Sequence, residues 1–124
     1  MYKCIKEEIL ILNRMSSLRL KFVENCVFYD KPQLFIAEDE SNSKYLCLLY
    51  SEDKLCLKYL TIRISEERLY LFKNQGIDLL SIYQNPEDSC YFDVEIKEMN
   101  NIIGKPLSEN QIQPFMLPDA GFYY

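Results

Sequence analysis

The sequence predicts an α+β fold: an antiparallel β-meander of about four to six strands, the usual size of a sheet, with two short helices over residues 65–75 and 78–84 packed on one face. Three observations carry it. Between Leu18 and Arg63 strand-like apolar runs are separated by short polar stretches rich in turn formers. Two helix-start signals, Ser65-Glu66-Glu67 and Asp78, then follow with Gly76 between them. Ser89–Lys97 finally returns to strict alternation, with Cys90, Phe92, Val94 and Ile96 on one side and Tyr91, Asp93, Glu95 and Lys97 on the other.

Taken in order, Met1 to Met15 has two readings. Ile5, Ile9 and Leu12 share a helical face and Lys-Glu-Glu favours a helix, whereas the run Ile9-Leu10-Ile11-Leu12 equally fits a buried strand. From Leu18 to Phe28, Leu20, Phe22, Cys26 and Phe28 alternate with Lys21, Val23, Asn25 and Val27 as a first strand. Tyr29-Asp30-Lys31-Pro32 is a turn, because Pro fixes its own φ and biases the preceding residue away from helix. Gln33–Ala37, Lys44–Tyr50 and Leu55–Arg63 are the next strands, joined by turns short enough to favour hairpins. Lys44–Tyr50 is apolar on both faces and so central. Glu66 and Glu67 suit the positive end of a helix dipole, Gly76 provides a left-handed cap, and Asp78 caps a second helix that Pro86 stops. After Gly104 the chain carries Pro106, Pro114 and Pro118 and loses periodicity. Residues 1–104 therefore read as one domain and 105–124 as an extended arm that docks on the domain or on a partner.

Composition narrows the function more than any motif does. The 124 residues contain no histidine, which removes the Ser-His-Asp triad, the Cys-His pair, the H-E-x-x-H zinc site and a His general base. The five cysteines, Cys4, Cys26, Cys47, Cys56 and Cys90, form no C-x-x-C pair and read as reduced thiols. A net charge of −5 disfavours general nucleic-acid binding and suits docking on a basic protein surface. Glu7 and Glu8 interrupt the apolar region that a signal peptide needs, and no window approaches the ~18 apolar residues of a membrane span. The expected setting is cytoplasmic, without a membrane, a cofactor or a metal.

The segments Tyr29-Asp30-Lys31-Pro32-Gln33-Leu34-Phe35, Ser65-Glu66-Glu67-Arg68-Leu69 and Gly76-Ile77-Asp78-Leu79-Leu80, followed by Pro86-Glu87, occur in that order. Over roughly residues 18–97 the chain resembles, through these turn and cap signatures, a small bacterial domain family of uncharacterised function. The resemblance implies a bacterial or bacteriophage origin and one αβ domain, and it brings no catalytic residue.

Two constellations bear on chemistry. Pro86-Glu87-Asp88 followed by Glu95-Ile96-Lys97 is similar to the acidic-plus-lysine layout of metal-dependent nucleases, in which carboxylates hold Mg²⁺ and Lys assists water. The plainer alternative is the wet face of an edge strand. Glu38-Asp39-Glu40 with Glu52-Asp53 is the densest acidic cluster; it reads as solvated turns or as an interface for a basic partner. Cys90 reads as core, since no histidine activates it. The arm is the more telling feature, because Phe115, Met116, Leu117, Phe122, Tyr123 and Tyr124 are too apolar for a free tail.

Two functional readings follow. The first is a non-enzymatic protein–protein interaction module, such as an immunity-like inhibitor or accessory subunit in a bacterial or phage conflict system. Its interface is Glu38, Asp39 and Glu40 with the apolar arm, which docks over its own sheet or across a twofold axis on a second copy. The second is a small metal-dependent nuclease or phosphodiesterase using Asp88, Glu95 and Lys97.

Overall fold

In the computed structural model, which describes residues 18–97, 102–118 and 121, six antiparallel strands pair in sequence order and close into a barrel. They are β1 (Leu18–Tyr29), β2 (Lys31–Glu38), β3 (Lys44–Glu52), β4 (Leu57–Ile64), β5 (Tyr91–Ile96) and β6 (Ile102–Leu107). Helices α1 (Glu66–Lys73) and α2 (Leu79–Gln84) connect β4 to β5, and 3₁₀ turns at Glu109–Gln111 and Pro114–Met116 follow β6. The reading of residues 1–15 lies outside the described residues.

Closure depends on β1. Leu18–Leu20 pair with Gly104–Ile102 of β6, while Lys21 onward pairs with β2 from Glu38 back to Lys31. Three register shifts, between Phe22 and Glu24, Asn25 and Val27, and Val27 and Phe28, interrupt that second pairing. The first two add a residue to β1 and the third adds one to β2, and such bulges bend a strand and increase its twist, as a small barrel requires. The bulges also break the alternation expected from sequence: Phe28 is 58% exposed instead of facing inward with Leu20 and Phe22.

The strands sort their apolar residues onto two sides. Phe35, Ala37, Tyr45, Cys47, Tyr59 and Val94 fill the interior with Leu20, Phe92, Ile96 and Ile102. Phe35 meets Tyr59 edge-on at 4.9 Å, a favourable aromatic arrangement. Gly104 permits the β5–β6–β1 contact: a Cβ there would lie 3.2 Å from Val94 Cγ2 and 3.3 Å from Leu18 Cδ2. On the outside, Leu34, Ile36, Leu46, Leu60, Ile62 and Ile64 share one buried cluster with Leu69 and Phe72 of α1 and Leu79, Ile82 and Tyr83 of α2. This explains why β3 is apolar on both faces: Cys47 packs inside the barrel and Leu46 in the outer cluster.

The helices start where their caps place them. The Ser65 side chain accepts from the Arg68 N–H, with Glu66 and Glu67 in the first turn and Lys73 in the last, and the Asp78 side chain accepts from the Ser81 N–H. The exit from α1 differs from the expected glycine cap, because Gln75 takes the left-handed conformation at φ 62°. Gly76 instead lets the chain pass close to Leu71, whose Cδ2 and carbonyl oxygen would both lie 3.3 Å from a Cβ. Lys73 then pairs with Glu24 of β1.

Further boundaries moved for physical reasons. The β3–β4 turn extends to Cys56, because Asp53 accepts the N–H of Leu55 at 2.8 Å and of Cys56 at 2.9 Å and holds the loop shut. The segment after Gly104 begins inside β6, which runs on to Leu107. Pro106 lies in this strand opposite Phe92 of β5, beyond the described β1–β6 register. And β5 is no edge strand, since it pairs with β4 on one side and β6 on the other.

Buried tyrosine hydroxyls tie the layers together. Tyr83 Oη lies 2.8 Å from the Leu46 carbonyl and 3.0 Å from that of Leu60, Tyr91 donates to the Tyr83 carbonyl at 2.6 Å, and Tyr59 donates to the Pro32 carbonyl at 2.7 Å. Replacing Tyr83 by Phe is expected to lower stability by about 1 kcal/mol, the net worth of a typical hydrogen bond, whereas Phe92→Ala, which opens the barrel interior, is expected to cost about 3–5 kcal/mol. Urea unfolding of the two variants checks the order; equal losses would mean that the helical layer and the interior are not separately packed.

Candidate interaction surface

The apolar arm divides between burial and exposure. Met116 is buried in the outer cluster, with Ile112 and Leu117 packed against it. Phe115 points the other way: it is 68% exposed, with its ring 6.2 Å from that of Tyr50 at the end of β3. One side chain thus anchors the turn Pro114–Met116 on the barrel and its neighbour presents an aromatic face to solvent. Gly121 N–H reaches the Asp78 carboxylate at 3.2 Å. Phe122, Tyr123 and Tyr124 lie outside the described residues.

Tyr50 is held in place from beneath. Its hydroxyl donates to Asp93 Oδ1 of β5 at 2.7 Å. Burial and this carboxylate raise the phenol well above its ordinary value, so it stays protonated and keeps donating. The bond fixes the ring on which Phe115 rests. No sequence motif marks this pair, which is 43 residues apart; strand pairing alone brings it together.

The acidic turn sits elsewhere, at the opposite end of β3. Asp39 is consumed by its own loop, accepting the N–H of Ser41 at 2.9 Å, the N–H of Ser43 at 3.0 Å and the Tyr45 hydroxyl at 3.0 Å. Glu38 pairs with Lys44 across the hairpin. Glu40 alone of the three is exposed. A cavity of about 360 Å³ opens beside this turn, lined among others by Lys44, Arg63, Ser65, Glu66, Glu87 and Asp88.

Two members of the proposed nuclease layout serve turns, and its lysine lies far off. Glu87 accepts the Ser65 N–H at 2.8 Å and lies 3.7 Å from Arg68, which ties the loop to the start of α1. Asp88 accepts the Cys90 N–H at 3.0 Å at the entry to β5. Lys97 follows the other end of β5, about 20 Å of strand away. Glu95 projects from the outer face opposite Lys58 of β4, and burial together with this carboxylate pushes the Cys56 thiol up. Among the described residues no group of three or more His, Cys, Asp or Glu converges on a cation position.

The described cysteines are free thiols. Burial pushes Cys26 up to about 11 and Cys47 up to about 12, so both stay protonated near neutrality. Cys90 packs against the barrel interior, its thiol 3.3 Å from the Asp88 carbonyl. Among the described residues, no helix is long and apolar enough to cross a membrane.

The cap segments seen in the sequence are thus used by the fold, Ser65 and Arg68 setting α1 and Asp78 and Leu79 starting α2. The expected turn Tyr29–Pro32 instead shrinks to Asp30 at φ 63°, with Pro32 already inside β2 opposite Phe28. The pattern of one family spans nearly the whole chain, residues 9–123. The chain belongs to DUF6575, a family of unknown function. No curated protein and no solved structure matches it. DUF6575 membership extends beyond the residues that carry the sequence resemblance and takes in β6 and the docked turn at Pro114–Met116.

Two carboxylates give the fold a defined response to acid. Hydrogen bonds from the Leu55 and Cys56 amides hold Asp53 below its ordinary 3.8, and bonds from Ser81 and the Gly121 amide do the same for Asp78. A carboxyl depressed by folding contributes stability that is complete above the unfolded value near 3.8 and is lost as pH falls through the folded value. Urea midpoints followed from neutrality down to about pH 2 are therefore expected to fall most steeply below the ordinary carboxylate value. Asp78→Asn keeps a capping oxygen without the charge and is expected to flatten that slope; an unchanged slope would remove Asp78 from the account.

Proposed function

We propose that this DUF6575 protein is a non-enzymatic interaction module that binds another protein through the aromatic patch of Phe115 and Tyr50. The observation that carries this reading is the paired placement of Phe115 and Met116, one 68% exposed and its neighbour buried. Folding anchors an exposed aromatic ring at a fixed place, and pre-ordered aromatic side chains bind with little further loss of conformational entropy. The Tyr50–Asp93 bond adds to this rigidity. The setting we propose is a bacterial or phage conflict system, with the protein as an immunity-like inhibitor or accessory subunit. A small acidic barrel with a rigid contact surface fits that role, and long-range charge adds a faster encounter with a basic partner.

Phe115→Ser tests the reading. Phe115 is exposed, so the melting temperature is expected to stay close to that of the parent, with a stability change of about 0.5 kcal/mol or less. Affinity capture from the native host, compared between parent and variant, is expected to lose one or more specific proteins. Identical captures would remove the patch as the contact. Mg²⁺-dependent phosphodiester cleavage abolished by Glu95→Ala in a folded protein would replace the reading with the hydrolytic one.

A further inference from the structure

The strongest unabsorbed feature lies at the end of the barrel away from the acidic turn. A groove of about 350 Å³ opens there between the β1–β2 and β3–β4 turns, with Phe28, Pro32, Leu55, Leu57 and Ile96 among its lining. Leu55 is 81% exposed and Phe28 58%, both large apolar groups that folding leaves in water. Leu55 is not on a slack loop. Asp53 accepts its amide and the next one, and Asp53 N–H closes on the Cys56 carbonyl at 3.0 Å. The fold thus holds this leucine outward.

The charges around the groove are uneven. Lys97 lines it, and also lines a second depression of about 220 Å³ on the outer face of β5 and β6, shared with Glu95, Ile103 and Lys105. Lys97 is thus common to both hollows, one holding Leu55 and the other Lys105. The carboxylates around them are largely engaged: Asp53 by its own turn, Asp93 by the Tyr50 hydroxyl, and Glu52 by Lys31. Asp30 is exposed in the β1–β2 turn, and Glu95 faces Lys58 across the β4–β5 ladder. The ion pairs among the described residues take up Lys31, Lys44, Arg68 and Lys73; Lys54, Lys97 and Lys105 are exposed and belong to none of them. In a chain of net charge −5 this face offers lysines beside an apolar groove.

We propose that this surface docks an acidic protein segment, which seats an apolar side chain between Phe28 and Leu55 and sets carboxylates against Lys54, Lys97 and Lys105. The proposal rests on the reading of the protein as an interaction module and adds a second contact surface of its own chemistry, apart from the Phe115–Tyr50 patch. An acidic segment is complementary to these lysines, which among the described residues enter none of the ion pairs although Asp93 stands opposite Lys105 in the β5–β6 register, while the groove floor provides the apolar contact that gives such docking its affinity. A nucleic-acid strand fits less well, because the described lining of the depression on β5 and β6 has no aromatic ring for base stacking.

The test uses the full chain, isotopically labelled, and a synthetic peptide of glutamates interrupted by leucines. Amide shifts are expected at Phe28, Lys54, Leu55, Lys97 and Lys105, with binding that weakens as salt is raised. Leu55→Ala, and Lys97→Glu combined with Lys105→Glu, alter exposed positions and are each expected to weaken binding at least about tenfold. The same peptide with lysines for glutamates is expected not to bind. No shifts with the acidic peptide, shifts elsewhere, or equal binding of the lysine peptide would overturn the proposal. Preference for an oligonucleotide, for anionic vesicles, or for a second copy of the chain in sedimentation would overturn it in favour of that occupant. If Phe115→Ser abolishes capture of a host protein while Lys97→Glu with Lys105→Glu leaves it intact, the interaction reading stands and this surface assignment falls.

Discussion

The double pairing of β1 is the constraint on which the rest of the structure depends. Its first three residues close the sheet on β6, and the remainder opens it toward β2. The register shifts between these partners let one strand serve both neighbours, because each shift bends the backbone and changes which side chains face inward. Once β1 closes the sheet, each described strand has a neighbour on both sides, and the interior becomes a space that side chains fill. Phe35, Tyr59 and Val94 fill it, and Gly104 keeps clear the place where β5, β6 and β1 come nearest.

Closure also determines where the helices belong. A barrel interior takes up one face of every strand, so the apolar outer residues of β2, β3 and β4 need a second cover. The α1–α2 pair and Met116 provide it through one buried cluster. Burying tyrosines in that arrangement requires partners for their hydroxyls, and these are main-chain carbonyls at Leu46, Leu60, Tyr83 and Pro32. Among the described residues no buried side-chain nitrogen or oxygen lacks a hydrogen bond. The richness in tyrosine therefore has a structural use, with Tyr50 the member that reaches the surface beside Phe115.

The same geometry separates charge by position. Carboxylates that look like one acidic cluster in the sequence are placed at opposite ends of the barrel, Asp39 in the β2–β3 turn and Asp53 in the β3–β4 turn, and both are drawn into backbone hydrogen bonds. Local pairing leaves Lys105 of β6 and Lys97 just past β5 exposed in an acidic chain. Net charge is a property of the whole molecule and acts at long range, whereas a contact is set by the groups that the strands hold side by side.

What the sequence determined by itself was local. Period-two runs located the strands, Ser65 and Asp78 placed the helix starts, and the turns lay where Asp, Asn, Ser and Pro accumulate, because backbone preferences act over a few residues. The apolar character of the arm was legible, but not that Met116 would be buried and Phe115 exposed. Tertiary structure decided the rest. β6 was hidden because Gly104 and Pro106 blunt its alternation, and Phe28 lost its inward direction to bulges that exist only because two strands of unequal count pair. It brought Tyr50 to Asp93 and set Phe28 and Leu55 along one groove. Each of these depends on strands distant in sequence, and pairing register, unlike turn and helix propensity, is a property of two segments at once.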